Sequence, residues 1–319
     1  MKEILVIGAG PAAITFLNRI IEKKAQYKIT LVNKLPYSFN KNELVSNLTC
    51  KKELELESWA QSHGIEFIGD SAERINTKRR KVYFKQKPAR DFETLVVASG
   101  AKSKKIEVKG EHREGFFYLS DIDPMKLKDL LRISTEAVIG VSTILGIRLA
   151  LTLAALEKEV RIITEDLEFL ESAKERCINF LQNKNIAVHL NSSIEEAIGE
   201  GAVKATKINP FKVFSSHLVF IDSGFIPNRG FFEDELGAHD TFFTAAKDVY
   251  LLGDVTRSDL ESEFFFPFNY QEAASQGVIL ADFILEGKPP VFERRSAGEE
   301  DRQKIIEDIF KAREAAESL

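Results

Sequence analysis

The chain has 319 residues, about twice a typical domain of ~150, which excludes a single small module and leaves two domains or one large α/β unit. Its 44% hydrophobic and 29% charged residues match a globular protein and exclude the disordered, collagen-like and disulfide-scaffold classes. With 44 Lys+Arg against 49 Asp+Glu the net charge is -5 and no dense basic block is present, so no nucleic-acid partner is expected.

Residues 4–7 form an apolar run that reads as a strand. Gly8-Ala9-Gly10-Pro11-Ala12-Ala13 follows, and then a helical pattern to about residue 24. Residues 28–33 supply the next strand and close a βαβ unit, which implies a parallel sheet. Gly8 and Gly10 stand where strand meets helix. The first permits the turn, and the second lets a pyrophosphate approach the backbone, with Ala13 in the third position. The phosphates would face the positive end of the helix that Pro11 opens. About 20 residues further on, where an acid usually meets a ribose, stands Asn33, followed by Lys34. Asparagine can accept that bond, without the contribution of a charge.

Residues 54–63 read as a helix, 65–68, 81–85 and 94–99 as strands, and the pattern begins again at Ala137. A strand, a Ser/Gly turn, an apolar helix over 147–156 and a strand over 160–164 ending before Glu165 form a second, altered copy of the beginning. A helix over 170–184, strands near 187–190 and 218–221, and the turn Gly224-Phe225-Ile226-Pro227-Asn228 complete it. A strand over 249–252 with Gly253-Asp254, a helix near 271–286 and a charged tail come last; Ile305, Ile306, Ile309 and Phe310 share one helical face of that tail. No run approaches the ~18 apolar residues of a membrane span, so a cytoplasmic protein is expected. Cys50 and Cys177 form no CxxC, and the five histidines have no ligand spacing. No metal and no catalytic acid or base is assigned.

Three later segments, Leu95-Val96-Val97-Ala98-Ser99-Gly100, residues 244–255 (TAAKDVYLLGDV) and 224–228, together resemble the flavin-binding signatures of the pyridine nucleotide-disulfide oxidoreductase superfamily, in matching order over residues 1–287. The resemblance implies an α/β fold of two Rossmann-like dinucleotide-binding domains, the second inserted in the first. An FAD-binding domain would take 1–105 and 223–290, an NAD(H)-type domain 106–222, and a tail helix 291–319. It also implies that Asp254 binds the ribityl chain of FAD, Gly253 allows close approach, and Ala72 offers its backbone to the adenine. Gln276 and Gly277 would start a helix near the flavin's pyrimidine edge, and Lys41 and Glu43 would lie near N5. The Ala98-Ser99-Gly100 turn belongs to the same site. The stretch 36–48 has no redox cysteine, so the likeness is to the cysteine-free ferredoxin, rubredoxin and nitrite-reductase-type flavin reductases. Phe39, Asn40 and Lys41 stand where that pattern has an arginine and prolines.

The second turn departs from the family. In Gly140-Val141-Ser142-Thr143-Ile144-Leu145-Gly146-Ile147-Arg148, Ser142 is read at the second glycine, and Gly146 comes one residue late. Glu165 is placed to meet an NAD ribose, and Asp166 and Glu168 would repel a 2′-phosphate, which favours NADH over NADPH. Gly224 is assigned to the same nucleotide. Two functions are expected: an FAD-dependent oxidoreductase passing electrons from NADH to a protein or small-molecule acceptor, or an FAD-carrying electron-transfer subunit of a larger complex that no longer binds nicotinamide nucleotide. The tail is too short for the family's C-terminal interface domain, and its apolar stripe would dock on the chain itself, on a copy, or on another subunit.

Overall fold

The computed structural model describes residues 2–233, 244–256, 270–287 and 299–311. Its helices are α1 (Pro11–Glu22), α2 (Lys41–Asn47), α3 (Leu56–Ser62), α4 (Pro124–Ile133), α5 (Ile144–Ala155), α6 (Lys174–Asn183), α7 (Tyr270–Glu286) and α8 (Glu299–Lys311). Two parallel sheets carry the architecture. In the first, the strand Lys2–Ile7 lies between Tyr27–Asn33 and Thr94–Val97. Glu66–Gly69 flanks one side, Val249–Leu251 and the antiparallel edge Thr244–Ala246 the other. In the second, Glu136–Val141 lies between Glu159–Ile163 and Leu218–Asp222, with Ala187–His189 and Phe116–Tyr118 outermost.

The two sheets therefore repeat one arrangement: a central strand that leads through a turn into a helix, α1 or α5, packed on the sheet. Near-continuous apolar strands such as Leu218–Asp222, buried throughout, are what a parallel sheet covered on both faces requires. An antiparallel pair, Ala101–Ser103 with Phe225–Pro227, links the sheets. The Thr152 hydroxyl of α5 donates to Ser46 O at the end of α2 (2.8 Å), which ties the two halves again.

Helix α1 buries Ala12, Ala13, Phe16, Leu17 and Ile20, a helical stripe, and runs parallel to α7. The Arg19 guanidinium makes a forked bond to Asp282 (2.8 and 3.1 Å), and Lys23 pairs with Glu286 (2.9 Å). The approach is closest at Gly277, where a Cβ would lie 2.5 Å from Ala12 O and 2.8 Å from Phe16 N. The helix of Gln276 starts at Tyr270, so Gln276 sits well inside α7 and not at its amino end. The tail stripe is covered by the chain itself. Ile309 is 1% exposed in the core of the second sheet, Phe310 meets Phe180 edge-on at 5.2 Å, and Arg176 of α6 pairs with Glu307. Of the three docking alternatives, the chain itself takes Ile309 fully and Ile305, Ile306 and Phe310 in part. The remainder of the expected tail, 291–298 and 312–319, lies outside the described residues.

Replacing Gly277 with Ala would force α1 and α7 apart. We expect a loss of about 1–3 kcal/mol, typical of overpacking against rigid atoms, measured as a lower urea midpoint with an unchanged slope.

Candidate functional site: two helix N-termini of opposite character

The first turn is built around close backbone approach. Gly8, at φ +98°, continues the ladder to Val32 O (2.8 Å), and a Cβ there would lie 2.3 Å from Ala98 O. No other residue type fits both constraints. Gly10 is the N-cap of α1, and no side chain caps the helix; Pro11, at the first helical position, has no N–H to satisfy. Among the described residues a Cβ on Gly10 would meet nothing within 4 Å, which leaves open space over the turn. Among the described residues the first-turn amides of α1 thus face that space without an acceptor, the arrangement that binds phosphate. A cleft of about 530 Å³ opens beside it, lined by Gly10, Pro11, Ile14, Asn40, Trp59 and Tyr270.

Other expected flavin residues converge on this end of the sheet. Asn33 closes its strand, and its side-chain nitrogen donates to Leu35 O (2.8 Å), while Lys34 beside it is exposed. Ala72 opens the strand Ala72–Asn76, and the loop before it is held by a residue that sequence reasoning missed. Buried Asp70 accepts from the amides of Ser71 (2.7 Å), Gln86 (2.9 Å) and Lys87 (2.8 Å). Burial pushes its carboxyl up, but the three amides prevail and hold it below the usual carboxylate range. Its sequence signal was an Asp directly after a strand-ending glycine.

The Ala98-Ser99-Gly100 turn is locked to the 224–228 turn. The Ser99 hydroxyl donates to Asn228 O (2.8 Å), and Asn228 N donates to Gly100 O (3.0 Å). Gly253, at φ +81°, donates its N–H to Gln276 Oε1 (2.7 Å). Gln276 therefore braces the turn that carries Asp254. It does so from inside α7 and not from a helix start. Lys41 donates to Ser120 O (3.3 Å). Burial pushes its ammonium below the usual range, the carboxylates of Asp121 and Asp254 oppose this, and Lys34 adds to the lowering. Lys41 and Asp254 thus share one electrostatic neighbourhood, and Glu43 is on the exposed side of α2.

The second turn has a different register from the expected one. Both α1 and α5 have 12 residues, and their N-caps are Gly10 and Thr143, so Thr143 holds the place of the second glycine. Ser142 is level with Ala9 and Gly146 with Ala13; the loop is no longer than the first. Gly140 lies inside the strand Glu136–Val141 and takes no part in the turn. A residue that sequence reasoning overlooked dominates this end. Asp222, 2% exposed, accepts from Thr143 N (2.8 Å), Gly146 N (3.0 Å) and Ser142 N (3.4 Å), and from the Thr143 hydroxyl (2.9 and 3.0 Å). Thr143 Oγ1 in turn accepts from Leu145 N (3.2 Å). Burial raises the Asp222 carboxyl above the usual range, with the bonds from Thr143, Gly146 and Ser142 pulling the other way.

Beyond Asp222 a cavity of about 580 Å³ is lined by Ser142, Glu165, Asp166, Glu168, Glu171 and Arg302, among others. Gly224, at φ +76°, follows Asp222 and Ser223, and its carbonyl accepts from Lys104 N (3.0 Å). Among the described residues no cluster could hold a metal ion, and no helix is long and apolar enough to cross a membrane.

The family model described as pyridine nucleotide-disulphide oxidoreductase matches residues 2–277. The chain belongs to this family. It is 23% identical to a thioredoxin reductase of Buchnera aphidicola subsp. Schizaphis graminum over 82% of this chain and 87% of that protein. It is 22% identical to the assimilatory nitrate reductase electron transfer subunit of Bacillus subtilis, over 71% of this chain but 31% of the relative. Its fold is shared with a ferredoxin reductase of Rhodopseudomonas palustris, at a TM-score of 0.70 and 19% identity, covering 91% of this chain and 78% of that one.

Within this family of oxidoreductases the two thiols here are unsuited to disulfide exchange. Cys177 is buried in α6 and its thiol is pushed up to about 11; half-buried Cys50 is also raised by burial, with Lys128 opposing. A thiolate is the reactive form, so both are suppressed at neutral pH. A thiol-specific chromogenic reagent should label the native protein far more slowly than the unfolded chain at pH 7.5. The native rate should climb as pH rises toward 11, because the raised pKa delays ionisation. Fast labelling of Cys177 at neutral pH would contradict this.

Proposed function

We propose that the chain is an FAD-dependent oxidoreductase unit that passes electrons through FAD to a protein or small-molecule acceptor. The observation that carries the reading is the uncapped start of α1, with open space over Gly10 and the Gly8–Ala98 contact beneath it. In this reading the FAD domain comprises 1–105 and 223–290, with 106–222 inserted, and the protein is cytoplasmic. The pyrophosphate meets the amides around Gly10, Pro11 and Ala12. Asn33 and Lys34 face the ribose end, Ala72 offers its backbone to the adenine, and Ala98, Ser99 and Gly100 wall the ring. Asp254, held by the Gln276–Gly253 bond, accepts from the ribityl hydroxyls, and Lys41 places a positive charge near the flavin.

FAD supplies an electron pair carrier whose acceptor can take the electrons singly or together. No side chain needs to act as acid or base; the residues bind, orient and set the local charge.

For the electron source, Glu165 at the rim of the second cavity supports NADH. The filled start of α5 favours the other reading, an FAD-carrying electron-transfer subunit reduced by a partner. The name of the Bacillus relative, an electron transfer subunit, agrees with that reading.

Purified protein incubated with FAD should turn yellow, keep the flavin through gel filtration, and bleach with dithionite. Replacing Asp254 with Ala should weaken FAD binding about 10- to 100-fold, the weight of a hydrogen bond to a charged group, read by flavin fluorescence. A protein that stays colourless after FAD incubation would end the proposal.

A further inference from the structure

The two halves of the molecule provide an internal control. In the first sheet Ile7 pairs with Val97, so Ala98 stands beside the turn that precedes α1. In the second sheet Gly140 pairs with Ile221 and Val141 with Asp222, so Asp222 stands in the place of Ala98 beside the turn that precedes α5. The flanking residues repeat as well: Ser99-Gly100 in one, Ser223-Gly224 in the other. A methyl group cannot reach the amides of α1, and they remain available. A carboxylate at the equivalent point reaches the amides of Ser142, Thr143 and Gly146.

Gly146 confirms the division of labour. A Cβ there would lie 2.6 Å from Asp222 Oδ2 and 2.9 Å from Val141 Cγ2, so the missing side chain makes room for the carboxylate. The cavity beyond is also acidic: Glu165, Asp166, Glu168 and Glu171 line it with Arg302 of α8 as the cation facing them. Such a field opposes a ligand with two phosphate charges.

We infer that Asp222 is an internal substitute for the phosphate at the second dinucleotide fold, so that this chain does not accept the pyrophosphate of a nicotinamide dinucleotide there. NAD(H), which the family resemblance implies, does not fit the residues present: the donors it needs are consumed within the protein. The inference deepens the electron-transfer reading and rests on it for its functional meaning, but it is tested on nucleotide binding, independently of flavin colour.

The experiment titrates NADH against the full chain and follows the fluorescence of the reduced nicotinamide. Three proteins are compared: the unaltered chain, Asp222→Ala and Asp222→Val. The alanine variant frees the amides. Because the amides of Ser142, Thr143 and Gly146 all bond the one oxygen Asp222 Oδ2, asparagine could still cap them; the valine variant keeps a branched side chain but carries no acceptor, and it serves if alanine loosens the start of α5. Circular dichroism and thermal melting check that each variant is folded. We expect no saturation by NADH in the unaltered chain up to about millimolar concentration. Binding should strengthen about 10-fold or more in a folded variant, the weight of one charge-assisted hydrogen bond. Saturable micromolar binding by the unaltered chain would overturn the inference, and so would folded variants that gain nothing. Failure to bind FAD would refute the flavin proposal and leave this result standing.

Discussion

A helix exposes amide donors at its first turn that no backbone carbonyl can satisfy, and something must accept them. This molecule meets that constraint in two ways. At α1 the turn is built from Gly8, Gly10 and Pro11, residues that bring no acceptor and leave the donors facing an open cleft. At α5 the chain supplies its own acceptors, Thr143 and Asp222. A buried donor left without a partner costs about 1–3 kcal/mol, so the two solutions differ in what folding requires. The second turn is complete without a ligand. The first is left for an anion to complete.

The remaining architecture serves to hold the first turn open and in place. Close backbone contacts, Gly8 against Ala98 and Gly277 against α1, leave little freedom for the strand–turn–helix to shift. The Arg19–Asp282 and Lys23–Glu286 pairs extend the same clamp along α1 and α7, though as partly exposed pairs they add direction more than stability. The Gln276–Gly253 bond then transmits the position of α7 to the turn of Asp254. A site assembled from 8–12, 98–100 and 253–254 is thus fixed by packing between distant parts of the chain.

Much of this was legible in the sequence where physics acts locally. The strand, glycine turn and Pro11-led helix announce themselves through periodicity and residue type, and the repeat starting at Ala137 does so through the same pattern. The register of the second turn was not legible, because it depends on where α5 begins. Thr143 can cap by its hydroxyl, which lets the helix start at Ile144 and places Gly146 within its first turn. The helix of Gln276 was legible, its start at Tyr270 lying one residue from the expected 271, but the bond that Gln276 makes to Gly253 N from inside it was not, because it joins groups 23 positions apart. Asp70 and Asp222 escaped since each acts across a fold, on amides 15 or more positions away in Gln86 and Thr143. Only strand register brings those groups together. Setting LVVASG (95–100) beside VFIDSG (219–224) would have exposed the exchange of Ala98 for Asp222.

A fold whose second nucleotide turn is filled still keeps a reason to carry its second half. The strands Ala101–Ser103 and Phe225–Pro227 bridge the sheets, and the bonds between Ser99, Gly100 and Asn228 make the 98–100 turn depend on chain that returns from the second sheet. Thr152 of α5 holds the end of α2, the helix that carries Lys41. The second half therefore shapes the turns around Gly10 and Gly100 through direct contacts, whatever occupies its own cavity. Helix α8 packs Ile309 and Phe310 against the core of α5 and α6 and brings Arg302, a cation, to the acidic walls of that cavity. A domain is indispensable when its neighbour's geometry is built on it, and here the bonds from Ser99 and Thr152 are the physical form of that dependence.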